Sequence, residues 1–271
     1  HVMSWFTDYT NTQLLVMFSY FSANPNKITM ILIAVATSIG GVGIPLLTEN
    51  YVKGDFKAAA RLIQDNLTML LLFILPATIG AVLVARPLYT VFYGQPDKLA
   101  LGLFVFALIQ TIILSFYTVL APMIQALFQN RKAIVYFLYG VVVKLILQIP
   151  LIWLFRAYGP LLSTTIGLIV PIVFMYREIR DITGLNPQNL IKRSLLTCIL
   201  TLLMIVVIAL ADLLLGFFFH PAGRVSSMIY LVLIGGVGIA VYGGLALRVR
   251  LLDRFVGEAK ASSLRRKFHI S

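Results

Sequence analysis

Seven apolar stretches dominate the chain, at residues 28–47, 69–85, 101–124, 133–155, 159–176, 194–216 and 226–247. Most are long enough to cross the hydrocarbon core of a bilayer, roughly 30 Å thick, as helices. A helix satisfies its backbone N–H and C=O groups within its own segment, which is what lipid demands of anything that spans it. The chain reads as an all-α, polytopic membrane bundle of seven transmembrane helices.

Positive charge falls almost wholly on alternate sides of these stretches. With the first span running from outside to inside, the loops at 53–61, 131–132 and 177–193 and the region from Arg248 onward collect 16 of the 22 basic residues. The opposite side holds only Lys27, Arg86, Lys98, Arg156 and Arg224, and Lys144 falls in mid-span. By the positive-inside rule the richer side is cytoplasmic, so the C-terminus lies inside and, with an odd number of spans, residue 1 lies outside. Nothing at the N-terminus, neither an initiator methionine nor a signal peptide, explains how it gets there. The chain therefore reads as a fragment.

Composition excludes other classes. With 60% hydrophobic and 12% charged residues and a mean hydropathy of +0.95, a water-exposed globule of this sequence would be insoluble. The net charge of +12 belongs to cytoplasmic loops facing anionic lipid, so nucleic acid is not the expected partner. Cys198, the only cysteine, has no partner for an intrachain disulfide and sits within a span, as a thiol does when it serves helix packing.

Three segments outside the spans have their own character. Residues 1–27 mix Trp5, Phe6, Tyr9, Phe18, Tyr20 and Phe21 with Ser, Thr and Asn, then break at Asn24-Pro25-Asn26, a composition suited to an external interfacial segment. Residues 55–67 open on Asp55 and place Phe56, Ala59, Ile63 and Leu67 near one face, which predicts a short capped cytoplasmic helix lying on the membrane. The tail at 251–271 is basic with intermittent apolar residues; it either docks on anionic headgroups or is solvated.

Motifs for soluble chemistry are sparse. His1, His220 and His269 have no cysteine or carboxylate at a metal-ligand spacing, so no metal is expected. Gly40-Gly41-Val42-Gly43 and Gly235-Gly236-Val237-Gly238 lack the strand before and helix after that a nucleotide loop requires. Close helix packing explains them better, and Gly236, Ala240 and Gly244 recur at four-residue intervals as a contact for a neighbouring helix. Asn66-Leu67-Thr68 matches a glycosylation acceptor, but the topology puts it in the cytoplasm. Of the ten acidic residues, only Asp212 lies well inside a span, near its predicted outer end; it is either an interfacial residue or a candidate for ion coupling. The external loops are short and nearly bare, with Asp8 the sole acid of 1–27, so the constellation a polymerase or glycosyltransferase would need is missing.

Polarity inside the spans is the remaining signal. Lys144 sits at the midpoint of 133–155, where a cation costs roughly 2.5 to 3.5 kcal/mol on insertion scales. Tyr136, Gly140, Lys144 and Gln148 recur every four residues and share one helical face, with Pro150 just beyond. The preceding span carries Thr111, Ser115, Thr118, Pro122 and Gln125 with Gln110 alongside. As consecutive antiparallel helices the two can wall an aqueous path. The alternative is that the hydroxyls bond to their own helix and Lys144 is neutral or internally paired.

The run from Ala36, A-T-S-I-G-G-V-G-I-P-L-L-T-E-N-Y-V-K-G-D-F-K-A-A-A-R-L-I-Q-D-N-L, continues through Leu75-Pro76-Ala77-Thr78-Ile79-Gly80 to Arg86-Pro87-Leu88-Tyr89-Thr90-Val91-Phe92-Tyr93-Gly94. A span ending in Pro-Leu, a cytoplasmic amphipathic helix, a span with central Leu-Pro and an outer Phe-Tyr-Gly closely resemble the polysaccharide-biosynthesis and lipid II flippase branch of the multidrug/oligosaccharidyl-lipid/polysaccharide (MOP) exporter superfamily. The likeness extends through Ala121-Pro122, Gln129-Asn130-Arg131-Lys132 and Tyr158-Gly159-Pro160, covers essentially the whole chain, and is strongest to the Gram-positive, MurJ-like members.

That resemblance implies a two-lobe transporter of fourteen helices, of which this chain matches the eighth to the fourteenth. The implied division is the external segment 1–27, the C-terminal lobe 28–193 with five transmembrane helices and the helix at 55–67, a final transmembrane pair at 194–250 forming a groove for a lipid tail, and the basic tail 251–271. An N-terminal lobe of the same protein is the expected partner. The implied function is a flippase without cofactor or enzymatic activity, moving a lipid-linked oligosaccharide or peptidoglycan precursor across the bacterial cytoplasmic membrane by alternating access. Spans 28–47, 101–124 and 133–155 match the cavity-lining helices, where the polar stripes lie. Lipid II flippases place an arginine in the helix matching 28–47, and none stands there in this chain. Either Lys144 takes over in attracting pyrophosphate, with Gln110, Gln125 and Gln148 for sugars or peptide, or the anion site lies in the N-terminal lobe. Alternatives are a cation-coupled multidrug exporter of the same superfamily, an integral-membrane polysaccharide-assembly enzyme, or a non-transporting scaffold.

Overall fold

The computed structural model describes residues 24–218 and 223–249. The expected interfacial segment falls mostly, and the basic tail, His1, His220 and His269 wholly, outside the described residues. Nine α-helices follow in order: α1 (Asn24–Val42), α2 (Ile44–Val52), α3 (Phe56–Leu83), α4 (Ala85–Tyr93), α5 (Lys98–Ala126), α6 (Asn130–Phe155), α7 (Gly159–Thr183), α8 (Pro187–Phe218) and α9 (Arg224–Arg248), with a 3₁₀ turn at Arg156–Tyr158. No strand occurs among the described residues. Six helical stretches are long and apolar enough to cross a membrane, and one of them, the 54-residue Asn130–Thr183, is the pair α6 and α7. The protein is thus a multi-pass membrane protein.

Local chemistry sets the helix ends. Asp97 accepts from the Ala100 amide at 2.6 Å to start α5, and Asp55 accepts from the Ala58 amide at 2.9 Å to start α3, each satisfying an N–H that the first turn leaves free. Gly184, at φ 66°, closes α7 in the left-handed region. The expected short helix at 55–67 is not a separate element: it continues as the first turns of α3, which runs unbroken to Leu83. No glycine or proline interrupts that stretch before Pro76, so its polar start and apolar remainder share one axis.

The described chain forms two compact units. One runs to Ile74 and resumes over Pro96–Ile191; the other joins Leu75–Gln95 to the chain from Lys192 onward. Residues 75–95 therefore cluster with the last two helices rather than with 28–193.

In the first unit the core collects where α3 and α5 pack together. Ala59, Ile63, Leu67, Leu70 and Ile74 of α3 meet Val119, Leu120, Met123 and Ile124 of α5, with Ala36, Leu47, Met175 and Ile179 closing the cluster. Lipid is as apolar as leucine, so close contact rather than hydrophobic burial holds such helices together. Gly40 shows how close: a Cβ there would lie 2.9 Å from Val119 Cγ2.

The α6–α7 hairpin is the tightest pairing. A Cβ on Gly140 would run into the Gly167 carbonyl and stand 2.8 Å from Pro171 Cδ, and one on Gly167 would lie 2.8 Å from Lys144 Cβ. At the turn, Arg156 takes φ 49°, and a Cβ on Gly159 would come within 2.6 Å of the Ile152 backbone. Folding back at this point brings Glu178 level with the start of α6. There its carboxylate accepts from Lys132 Nζ at 2.6 Å and from the Tyr136 hydroxyl at 2.9 Å, while the Tyr136 ring stacks on Phe174 with centroids 5.4 Å apart.

In the second unit, α4 packs on α9, and Met204 and Ile208 of α8 form a core with Tyr230 and Ile234 of α9. The expected small-residue contact at Gly236, Ala240 and Gly244 is displaced. Gly236 and Ala240 are exposed, whereas Gly238 takes the contact: a Cβ there would lie 3.0 Å from Ile208 Cδ1. The bulk of Ile208 selects which small residue it meets.

Two outcomes follow for stability in detergent, read as thermal midpoints of the full-length protein. Gly140→Ala overpacks the hairpin crossing and is expected to destabilise by about 1 to 3 kcal/mol, with Gly41→Ala, at a site open to space, leaving the midpoint unchanged. Glu178→Gln removes the charge shared by Lys132 and Tyr136. With the Lys132 side chain 48% exposed, its loss is expected to cost only about 1 kcal/mol.

Candidate functional site

The polar stripes of α5 and α6 lie on helices that pack mainly on other neighbours than each other. In the first unit α5 packs mainly on α1 and α7, and α6 packs mainly on α7, so α7 takes the place expected for a wall between them. The cause is the pair of glycines at 140 and 167, which lets α7 approach α6 more closely than α5 can. Contact between α5 and α6 includes Tyr117 with Phe137, at a centroid separation of 6.0 Å.

On α5 the stripe resolves into three environments. Thr111 and Ser115 are 1% and 0% exposed and continue the packed row of Leu103, Ala107 and Leu108; they are interior groups, not lining ones. Thr111 bonds back to the Ala107 carbonyl at 3.0 Å, and Thr118 to that of Ser115 at 2.9 Å, each pairing a hydroxyl within its own helix. The Ser115 Oγ has no hydrogen-bond partner among the described residues. Gln110 reaches across the unit: its Nε2 donates to the Leu161 carbonyl at 3.1 Å, tying α5 to the first turn of α7. Gln125, in the last turn of α5, is exposed.

On α6 the four-residue recurrence holds as a face, and α7 covers much of that face. Tyr136 is committed to Glu178, Gly140 to Gly167, and Lys144 leaves the helix where its Cβ meets the bare Cα of Gly167. Lys144 and Gln148 are both part-buried. Ion pairs among the described residues join Lys53 to Glu49, Lys132 to Glu178 and Arg180 to Asp181, and Lys144 is in none of them. Its neighbours Leu145 and Ile146 are exposed, so a mid-helix ammonium stands at the margin of an apolar surface without a counter-ion from the described chain.

Asp212 lies in the second unit, exposed on α8, where it accepts from the Tyr230 hydroxyl of α9. The contact links the last two helices.

Two residues in this region escaped the sequence reading. Glu178 was recoverable: a hairpin turning at 156–158 must bring it opposite Lys132 and Tyr136. Asn66 was not, because its Nδ2 donates to the Gly40 carbonyl at 3.2 Å across 26 residues of sequence.

Comparison with known proteins places the arrangement. No family model matches the chain. The lipid II flippase MurJ of Bacillus subtilis (strain 168) is 30% identical over 247 residues, covering 90% of this chain and 45% of the relative. A solved structure described as lipid II flippase MurJ in its inward closed conformation superposes with a TM-score of 0.69 at 17% identity, covering 94% of this chain and 50% of that one; this likeness concerns the fold. The chain spans about half the length of both proteins. Similarity along nearly its whole length, together with seven apolar helices in the same arrangement, makes the chain a member of the MurJ-like branch of the MOP exporter superfamily, equivalent to about half of such a protein.

Proposed function

We propose that the chain is the C-terminal half of a flippase that carries a lipid-linked cell-wall precursor, of the lipid II type, across the bacterial cytoplasmic membrane by alternating access. Lys144 carries this reading. An ammonium in the middle of a membrane helix costs roughly 2.5 to 3.5 kcal/mol, and no described carboxylate pairs with it. An anionic ligand supplies the missing countercharge, and a pyrophosphate offers several charged oxygens to a point-like cation with three donors. Gln148, one turn further and also part-buried, extends the same face with an amide suited to sugar hydroxyls or peptide groups. Gln125 adds a second amide at the cytoplasmic end.

The work of such a site is binding, so no bond-making residues are required of it. Thr111, Ser115 and Tyr136 hold the helices around it, and Gln110 fixes the height of α7 against α5. In the second unit, α8 exposes Leu202, Val206, Leu210 and Leu213 and α9 exposes Val232 and Ile239. That apolar surface suits a polyprenyl tail, which gains nothing from polar contacts. The opposite wall of the cavity belongs to an N-terminal lobe of the same protein, and the basic C-terminal side faces the cytoplasm.

The test is leaflet-to-leaflet transfer of labelled lipid II in proteoliposomes by the full-length parent protein. Lys144→Ala is expected to slow transfer by about tenfold or more, equivalent to about 1.4 kcal/mol, whereas Lys144→Arg keeps the charge and most of the rate. Transfer indifferent to both substitutions would make Lys144 a packing residue. A parent protein inactive on lipid II but active on another polyprenyl-linked glycan would change the cargo and leave the site standing.

A further inference from the structure

We propose that residues 40–45 form a hinge in the first membrane helix and that Asn66 is the latch holding its interrupted form. The first apolar stretch does not run as one helix. It stops at Val42 and restarts at Ile44, with Gly43 between them at φ −86°, ψ −8° and no side-chain cap on the new helix. Pro45 has no N–H, so the Gly41 carbonyl loses the donor that a continuous helix would give it. Gly41 has nothing within 4 Å of a Cβ position, and Val42 is 85% exposed, so the joint has room to move.

Both sides of the joint are packed, on different neighbours. On one side, Leu47 is buried in the core, and Tyr51 packs against Phe56 and Phe128 with centroids 5.8 and 6.1 Å away. On the other, α1 lies along α5, with Ala36 in the core and Gly40 against the Val119 side chain, and exposes Met30 and Ile31. Asn66 bridges the two parts. It sits on α3 between Ile63 and Leu67, which are fixed in the core, and its Nδ2 donates to the Gly40 carbonyl at 3.2 Å. That approach needs Gly43 to be bare, because a Cβ there would lie 2.9 Å from the same Nδ2. A neutral amide suits this position, since it supports a carbonyl at a helix break in lipid and exposes no charge when it lets go.

The hinge follows from the geometry of α1, α2 and α3 and does not rest on the identity of the cargo. Its test therefore uses none. Spin labels at Met30 and Val52, 63% and 69% exposed, in the full-length protein in lipid nanodiscs report the distance across the joint by pulsed electron resonance. The parent should give one principal distance, which Asn66→Leu broadens. Gly43→Ala should reproduce that broadening by displacing the amide, and it stands in if Asn66→Leu does not fold. Pro45→Ala, restoring the N–H, should move the population toward the roughly 33 Å spanned by a continuous helix over residues 30–52. Unchanged distributions in Gly43→Ala and Pro45→Ala would overturn the hinge; a response to Pro45→Ala alone would leave the hinge and remove Asn66 as its latch. Lipid II transfer can fail or succeed without altering any of these readings.

Discussion

A backbone N–H or C=O in hydrocarbon has no water to turn to, and the arrangement of this protein depends on that deprivation. It explains why every described span is helical and why helix ends carry caps such as Asp55 and Asp97 at the loops. It also explains what happens at the exceptions. At Pro45 the helix cannot satisfy itself, and at that level a side chain from another helix, Asn66, reaches the Gly40 carbonyl. The hydroxyls of Thr111, Thr118, Thr164 and Thr165 obey the same rule by bonding back along their own helices. These hydroxyls are thus satisfied within their own helices.

Once backbones are satisfied, what distinguishes one helix pairing from another is how closely two backbones can approach. Gly140 and Gly167 give α6 and α7 the closest approach in the first unit, with Pro171 filling the same crossing. This contact draws α7 in beside α6 and leaves α5 to pack on α1 at Gly40 and Val119. The polar interactions then fix register along these contacts: Glu178 with Lys132 and Tyr136 at one end, and Gln110 with the Leu161 carbonyl toward the other. Register set at both ends holds Lys144 at a defined depth and azimuth.

Hydropathy alone located the helices because the requirement it reports is local: each span must be apolar along its own length, whatever its neighbours are. The pairings were a different matter. Residues 101–124 and 133–155 are adjacent in sequence, and adjacency suggested that their stripes share a path, but Gly140 and Gly167 are 27 positions apart and outweigh it. Thr111 and Ser115 look the same in sequence as pore-lining residues; only the packed row they continue shows them to be interior. The amphipathic start of α3 was legible as a pattern, whereas its continuation to Leu83 depends on the lack of any breaker between Phe56 and Pro76. Gly236 and Gly238 are equivalent in composition, and Ile208 of α8 decides between them. In each case the missing information was the identity of the opposing side chain.

Lys144 is the residue that packing does not account for. Three positions of its stripe meet α7, and the other two of these have a partner that explains them: Tyr136 has Glu178, and Gly140 has Gly167. The methylenes of Lys144 satisfy the contact with Gly167 as leucine would, so the charge contributes nothing to the crossing while it carries the insertion cost of a cation in lipid. A residue that served packing alone would be more favourable without its ammonium. Gly167 lies against its Cβ, so the lysine leaves α6 at the closest point of the hairpin crossing. In the proposed role the cost of placing the cation in lipid is what an anionic ligand would offset.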